Sequence, residues 1–179
     1  MEQDPASPRT YRVVPSRSAI IVKARSNVGP IAFATGNING SISAAVDESG
    51  LMVDSSVMAR LEIRLNTLAS GNSLYDAELM RRVDARRFPL AIVDLASSSR
   101  LGATDDFDLK GNLTVHGVTR PINGKVTAEM TGLERITVDG EQVIDIRDFA
   151  LGLPSTLMLK IYPDVWIEMH LEAEFAAQT

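Results

Sequence analysis

The most informative absence in this chain of 179 residues is cysteine, which does not occur at all. Without cysteine the protein has no disulfide bond, no thiolate nucleophile and no zinc–thiolate site, so its fold depends on packing alone. Positive charge is also scarce, because 18 lysine and arginine residues stand against 23 aspartate and glutamate residues and leave a net charge of −5. This balance argues against a nucleic-acid partner, since binding to phosphates needs clustered basic side chains.

The N-terminus has no long apolar run, and residues 1–10 begin with an acidic, proline-containing sequence. Neither a secretory signal nor a transmembrane segment fits such a composition. We therefore expect a flexible N-terminal segment over residues 1–10 and a single domain over residues 11–179. The expected location is the cytoplasm, or the periplasm or cell exterior for a chain from which a leader has been removed.

Hydrophobic residues are plentiful, at 45% of the chain, and they alternate with polar residues along several segments. The clearest alternation occurs in residues 18–26, 57–66 and 164–175. A period of two is typical of β-strands that bury one face and expose the other. These segments therefore predict strands, each with one apolar face directed towards a common core.

Residues 109–128 contain the most distinct pair of predicted strands. Apolar residues alternate on both sides of residues 117–121, which predicts a β-hairpin. We expect its connection to be longer than a two-residue turn, with Gly117 at positive φ and Pro121 opening the returning strand.

Residues 90–96 predict a strand that Phe88 and Pro89 open, and three further segments are also predicted. Residues 31–46 predict one extended segment bent at its glycines, and residues 135–138 and 142–146 predict another strand pair. The spacing of Leu79 and Val83 predicts a short helix near residues 74–84, capped by Ser73 or Asp76. About eight strands with one helix indicate a mainly β protein built as an antiparallel barrel, because closure leaves no exposed sheet edge.

Residues 111–121 read Gly-Asn-Leu-Thr-Val-His-Gly-Val-Thr-Arg-Pro, which resembles the motif Gly-Asp-Leu-Thr-x-x-Gly-Val-Thr-Arg/Lys-Pro of the YceI-like family. Residues 74–79 and 83–89 are similar to the helix of that family and to the aromatic-proline step after it, and the resemblance spans nearly the whole chain. It implies a lipocalin-like, eight-stranded antiparallel β-barrel whose elongated apolar pocket holds an isoprenoid-like or fatty amphiphilic lipid. It also implies non-enzymatic binding, transport or storage of that lipid, and a chain able to form a homodimer.

The alternation and the resemblance together give a set of candidate ligand-binding residues in the barrel interior. Each methylene group gains about 0.8 kcal/mol on leaving water, so an apolar tunnel can bind a long chain without hydrogen bonds. The alternative is a solid-cored structural or protein-interaction barrel without a bound lipid, because alternation gives the direction of a side chain and not the space beside it. The candidate residues are Ile20, Val22, Ala24, Ile38, Leu61, Ile63, Leu65, Val93, Leu113, Val115, Ile167, Met169 and Leu171.

Residues suited to catalysis or metal binding are few. His116 and His170 are the only histidines, and no cysteine or close carboxylate partner completes a metal set with them. The serines at residues 97–99 lack the glycine-flanked turn and the histidine–acid pair of a hydrolase. We therefore predict no catalytic residues, no metal and no cofactor, and we expect both histidines to lie at the surface or in hydrogen bonds.

Overall fold

The computed structural model of the protein describes residues 8–48, 50–51, 57–100, 104–151 and 159–177. Within these ranges the chain forms twelve strands, one α-helix and three short 3-10 turns. The helix α1 (Ser73–Val83) lies between the seventh and eighth strands, and the turns occupy Pro15–Arg17, Leu65–Thr67 and Ile146–Phe149. The strands are β1 (Arg9–Val13), β2 (Ala19–Ser26), β3 (Gly29–Thr35), β4 (Ile38–Ala44), β5 (Val46–Asp47), β6 (Gly50–Leu51), β7 (Met58–Arg64), β8 (Leu90–Arg100), β9 (Asp106–Val115), β10 (Val118–Thr131), β11 (Arg135–Asp145) and β12 (Ile161–Phe175).

Eight of these strands close into a barrel in which every pairing is antiparallel. The order around the ring is β1-β4-β7-β8-β9-β10-β11-β12, and β12 returns to β1. The closing ladder is short, with Tyr11 opposite Phe175 and Val13 opposite Ala173. Tyr11 is fully buried, and its hydroxyl donates a hydrogen bond of 3.0 Å to the carbonyl oxygen of Leu133. The prediction of a mainly β, eight-stranded antiparallel barrel with one short helix is confirmed.

Strands β2 and β3 extend the wall beyond this ring. The C-terminal end of β12 pairs with β1, whereas its residues from His170 back to Ile161 pair with β2, so β1 and β2 lie along the same side of β12. Strand β3 pairs with β2, and its other edge makes a single bridge, between Ala34 and Ala69. No named strand follows β3 in the described sheet, and side chains of α1 line the same interior space as side chains of β3 and β7.

The β9–β10 hairpin turns more tightly than the sequence predicts. Val115 pairs directly with Val118, so the connection consists of two residues, His116 and Gly117. Both have positive φ, at 54° and 71°, as a type I′ turn requires. The prediction of a longer connection was wrong. Asn or Asp at the first turn position would have indicated a left-handed conformation, whereas His116 at that position does not.

The segment that follows α1 packs against this turn. The ring of Phe88 meets the ring of His116 edge to face, with centroids 5.0 Å apart. A Cβ atom at Gly117 would lie 2.7 Å from Cε1 of Phe88, so both the positive φ and the close contact require glycine there. Residues 83–89 and 111–121, two of the regions that carry the family resemblance, therefore meet in space.

Two predicted segments have different strand boundaries in the structure. Residues 31–46 form β3, β4 and the start of a small hairpin instead of one strand, and the break between β3 and β4 falls at Gly36. Residues 135–145 form one continuous strand instead of a pair, because β12 pairs with β11 along its whole length. Alternation shows which face a residue occupies, but it does not show where a strand bends or ends.

Two further positions also differ from the prediction. Pro121 lies inside β10 and not at its start, and its missing N–H is tolerated because β11 pairs with β10 only from Lys125 onwards. Strand β1 begins at Arg9, within the segment that is predicted to be flexible. Residues 1–7 lie outside the described part of the chain.

Helix α1 lies where the spacing of Leu79 and Val83 predicts it, but a different residue caps it. The side chain of Asn72 accepts a hydrogen bond of 3.0 Å from the backbone N–H of Leu74. Asp76, one of the two predicted caps, instead accepts hydrogen bonds from the backbone and hydroxyl of Ser70, at 2.7 Å and 2.6 Å. Among the described residues, no helix is both long enough and apolar enough to cross a bilayer.

The strands bury one face and expose the other, as the alternation predicts. The largest fully buried side chains include Ile38, Leu61 and Ile136, which lie on three different strands of the ring. The outer face carries cross-strand ion pairs such as Arg60–Asp94, with 2.8 Å between Nη1 and Oδ1. These exposed pairs contribute at most about 1 kcal/mol each, so the apolar interior supplies most of the stability.

We expect Gly111→Ala to destabilise the protein by about 2–3 kcal/mol, because overpacking against rigid backbone is costly. An added Cβ on β9 would lie 2.1 Å from the carbonyl oxygen of Asp94 on β8. The matched control is Gly124→Ala on β10, whose Cβ would lie 3.0 Å from Oε1 of Gln142, a side-chain atom that can move. Urea unfolding measures both, and equal losses of stability would contradict this explanation.

Candidate functional site

A cavity of about 270 Å³ lies inside the barrel. This volume is close to the lower end of the range for ligand pockets, roughly 300–1,000 Å³. Its walls come from β2, β3, β7, β8, β9, β10, β11, β12 and α1, and nearly all lining side chains are aliphatic or aromatic. The polar lining residues are Glu78, Arg82, Lys125, Glu141 and Gln142. The interior therefore offers contacts to hydrocarbon over most of its surface.

Eleven of the thirteen candidate residues from the sequence line this cavity. They are Ile20, Val22, Ala24, Leu61, Ile63, Leu65, Val93, Leu113, Val115, Ile167 and Met169. The other two lie elsewhere. Ile38 is 0% exposed and is packed in the core, and Leu171, 1% exposed, lines a second and smaller cavity. Both point inwards as predicted, but period-two alternation cannot distinguish a side chain beside a cavity from one packed on every side.

The second cavity has a volume of about 50 Å³ and lies next to the first. Leu61 and Met169 line both cavities, as do Leu95, Leu109 and Val126. These side chains form the partition between the two spaces. A methionine in such a partition is adaptable, because its unbranched chain has three rotatable bonds.

One part of the cavity wall is helical, which the sequence does not predict. Helix α1 lines the cavity with Tyr75, Glu78, Leu79, Arg82 and Val83. The spacing of these residues is that of a single helix face, i, i+3, i+4, i+7 and i+8. The helical spacing of Leu79 and Val83 predicts the helix and shows which residues share a face. It does not show that this face lines the interior of the barrel.

The inward face of α1 carries two charged residues, Glu78 and Arg82, which is unusual for a face that lines an apolar space. Nε of Arg82 donates a hydrogen bond of 2.9 Å to Oε1 of Glu78. The exposed Arg81 also binds Glu78, through Nε at 3.0 Å and Nη2 at 2.7 Å. Hydrogen bonds from Arg81 are the largest cause that lowers the pKa of Glu78 below its ordinary value, and those from Arg82 add to the effect.

The two histidines lie outside this cavity. Nδ1 of His170 lies 2.6 Å from Oδ1 of Asp139 on the outer face of the barrel, and His116 is in the β9–β10 turn against Phe88. Within the described ranges, no group of three or more histidine, aspartate or glutamate side chains is placed to hold a metal ion. The site is therefore described by its shape, its apolar walls and the charged face of α1.

The family model that matches this chain is the YceI-like domain, over residues 11–173. The chain belongs to the YceI-like family. The match covers nearly the whole barrel, from Tyr11 in β1 to Ala173 in β12. No curated protein matches this YceI-like chain.

Solved structures share the fold of this YceI-like domain. Burkholderia cenocepacia BcnA is 19% identical with a TM-score of 0.75, and the match covers 89% of this chain and 98% of that one. A polyisoprenoid binding domain from Saccharophagus degradans is 17% identical with a TM-score of 0.73, over 93% of this chain and 98% of that one. The Campylobacter jejuni YCEI protein is 16% identical with a TM-score of 0.62, over 76% and 80%. At these identities the likeness establishes the fold.

The lowered pKa of Glu78 gives this YceI-like domain an acid-dependent contribution to stability. A carboxylate whose pKa is depressed on folding stabilises the fold above its ordinary pKa, and the contribution disappears as the pH falls through the depressed value. We expect Glu78→Gln to cost up to about 1 kcal/mol near neutral pH and nothing in strong acid. Urea unfolding at several pH values measures this difference.

The matched control for Glu78→Gln is Glu129→Gln. Glu129 is an exposed glutamate on β10, and no ion pair joins it to another described residue. Its substitution removes a carboxylate without removing an ion pair, so the loss of stability near neutral pH should be smaller than for Glu78→Gln. A Glu78→Gln protein whose loss of stability is the same at every pH would show that the ion pairs on α1 are not the source of the effect.

Proposed function

We propose that this protein binds an apolar or amphiphilic lipid with an isoprenoid-like or fatty chain inside its barrel, and that it carries or stores this lipid without chemical change. The observation that carries the proposal is the cavity of about 270 Å³, which is lined mostly by aliphatic side chains. An eight-stranded barrel is about the size that holds one small ligand in place of packed side chains. A single slender chain is therefore the ligand shape that fits the site best.

The energetics of such a site favour hydrocarbon. Each methylene group that moves from water to the apolar wall contributes about 0.8 kcal/mol, so a chain with several buried carbons binds without any hydrogen bond. The chain also makes dispersion contacts with side chains that otherwise face the cavity. The affinity should therefore increase with chain length until the cavity is filled.

The choice of lipid class has support from a structural neighbour. The Saccharophagus degradans protein with the same fold is named a polyisoprenoid binding domain, and a prenyl chain is a flexible and wholly apolar ligand of the kind this cavity would accept. A carrier of this type needs no reacting group. The lining residues supply contact surface, and the few polar ones lie on α1 and at the β10–β11 pair.

The proposal is tested by narrowing the cavity with Val93→Trp. Val93 lies on β8 between Leu61 and Leu113 on the neighbouring strands, and all three side chains line the cavity. The larger ring takes the place of several ligand carbons, so binding of farnesol or hexadecanoic acid should weaken by at least about tenfold. The measurement is displacement of a dye that fluoresces in apolar surroundings, together with mass spectrometry of the lipid extracted from each purified protein.

The matched control is Leu74→Trp, which adds the same ring to an α1 side chain that is 77% exposed. This variant should bind lipid as the unchanged protein does. Thermal unfolding of both variants shows whether they remain folded. If the unchanged protein yields no lipid on extraction and takes up neither the prenyl nor the fatty ligand, the proposed function is wrong.

The second candidate function is a protein-interaction barrel. Exposed aromatic side chains favour it, since Tyr162 and Trp166 on β12 remain 40% and 38% exposed, beside an exposed Val143 on β11. The same dye distinguishes the two functions, because a barrel that acts only through its surface should not take it up. Homodimer formation and the cytoplasmic location stay predictions from the sequence.

A further inference from the structure

Most strands of the barrel line the cavity with alternate residues, as expected of a wall that is one sheet thick. The lining residues of β2, β3, β7, β8, β9 and β12 follow one another in steps of two or four. Strands β10 and β11 differ, because residues 124–126 and 140–142 line the cavity consecutively. The middle residue of each run, Lys125 or Glu141, is exposed on the outer surface. The cavity therefore reaches into the thickness of the wall at this point.

A groove on the outer face of the barrel meets the cavity at the same point. The lining residues of this outer groove come mainly from β2, β10, β11 and β12. Most of them face outwards, but Val126, Gly140 and Met169 belong to the inward series and line the cavity as well. Lys125 and Glu141 likewise line both spaces. The cavity and the outer groove are therefore separated by one short and thin section of the wall.

The pairing of β10 with β11 ends at this section of the wall. Lys125 opposite Glu141 is the last pair of their ladder, although both strands continue beyond it. Glycines stand next to the pair, with Gly124 on β10 and Gly140 on β11, so two inward positions have no side chain to fill the wall. The end of a ladder opens more readily than its middle. Separation of the two strands here therefore costs less than elsewhere along the pair.

The side chain of Gln142 lies over the gap that Gly124 leaves. A Cβ atom at Gly124 would be 3.0 Å from Oε1 of Gln142. Nε2 of the same amide donates a hydrogen bond of 3.1 Å to the carbonyl oxygen of Val143, its neighbour in the chain. Water can replace this local hydrogen bond at little net cost. Gln142 can therefore swing aside without the loss of a hydrogen bond between strands.

We propose, on the basis of the lipid-binding function above, that a single-chain lipid enters and leaves the barrel through a side portal formed by Gly124, Lys125, Gly140, Glu141 and Gln142. The hydrocarbon chain passes between β10 and β11 into the cavity, and the polar head stays in the outer groove in contact with water. The methylene stem of Lys125 lines the passage while its ammonium group remains solvated. The cavity then needs no polar partner for the head, in agreement with its apolar lining.

A portal controls the rates of binding and release and leaves the affinity unchanged. The dissociation constant is the ratio of the two rate constants, and the route of entry is part of neither the free nor the bound state. A block at the portal should therefore slow both steps by the same factor. A change to the cavity itself, such as Val93→Trp, instead alters the affinity. Kinetic measurements consequently separate the side portal from the residues that hold the chain.

The test attaches a bulky group to the rim of the side portal in the full-length protein. The chain has no cysteine, so a maleimide with a bulky, non-fluorescent sulfonated ring system modifies only the thiol introduced by Lys125→Cys. Stopped-flow fluorescence follows uptake of an apolar dye by the lipid-free protein and release of the dye when excess farnesol is added. Both rates should fall at least about tenfold after labelling, while the dissociation constants for the dye and for farnesol stay within about twofold.

The matched control is Glu129→Cys with the same label. Glu129 is another exposed residue of β10, and it lines neither the cavity nor the outer groove. A second control, Val28→Cys, carries the label on the turn between β2 and β3, where Val28 is 56% exposed. Neither label should change the rates of uptake and release.

The outcomes separate this proposal from the one it rests on. If the unlabelled protein takes up neither the dye nor farnesol, the lipid-binding function itself fails. If it takes up both and the label at residue 125 leaves the rates unchanged, the lipid-binding function stands and the side portal is wrong. Slower rates only with the label at residue 28 would indicate entry near the β2–β3 turn and would overturn the portal. Equal slowing by the label at residue 129, or weaker binding without slower release, would overturn it as well.

Discussion

The closure of the barrel depends on how β12 divides its pairing edge between two strands. Its last residues pair with β1 at Tyr11 and Val13, and the rest of the same edge pairs with β2. The ring is therefore complete only where β1 and β4 lie. After the turn at Pro15–Arg17 the wall continues with β2 and β3. The outer edge of β3 makes only one bridge among the described residues, between Ala34 and Ala69. The interior is consequently tight at the β1 end and wider where β2, β3 and α1 surround it.

The pairing of one edge of β12 with both β1 and β2 explains where the cavity lies and why charged side chains of α1 line it. In the wider half, α1 supplies the wall that strands supply elsewhere. A strand turns alternate side chains outwards and so keeps charge away from the interior. A helix presents a stripe in which residues three and four apart are neighbours, and on α1 this stripe contains Glu78 and Arg82 beside Tyr75 and Leu79. Glu78 and Arg82 therefore line the cavity because this section of the wall is helical, whereas the other polar lining residues, Lys125, Glu141 and Gln142, lie on β10 and β11.

The sequence predicted the faces of the strands well and their limits less well. Alternation placed Leu61, Ile63 and Met169 inwards, and the motif at residues 111–121 predicted the barrel and the family. It did not predict the two-residue turn at His116 or the packing of Phe88 against that turn, which is a contact between distant segments. The helical wall was also missed, because the period of α1 shows which residues share a face and not what that face contacts. Both gaps concern contacts between segments distant in the chain.

The difference between Ile38 and Val93 shows why a cavity is harder to predict than a core. Both side chains point inwards from neighbouring parts of the same barrel, yet Ile38 is packed on all sides and Val93 faces the cavity. Apolar walls that face a cavity lose dispersion contacts, so the protein has less stability than a filled barrel of the same size would have. A ligand that restores these contacts binds the folded state alone and must stabilise it. A chain that filled the cavity would therefore be coupled to the stability of the barrel, because it would contact the same apolar side chains that face the cavity.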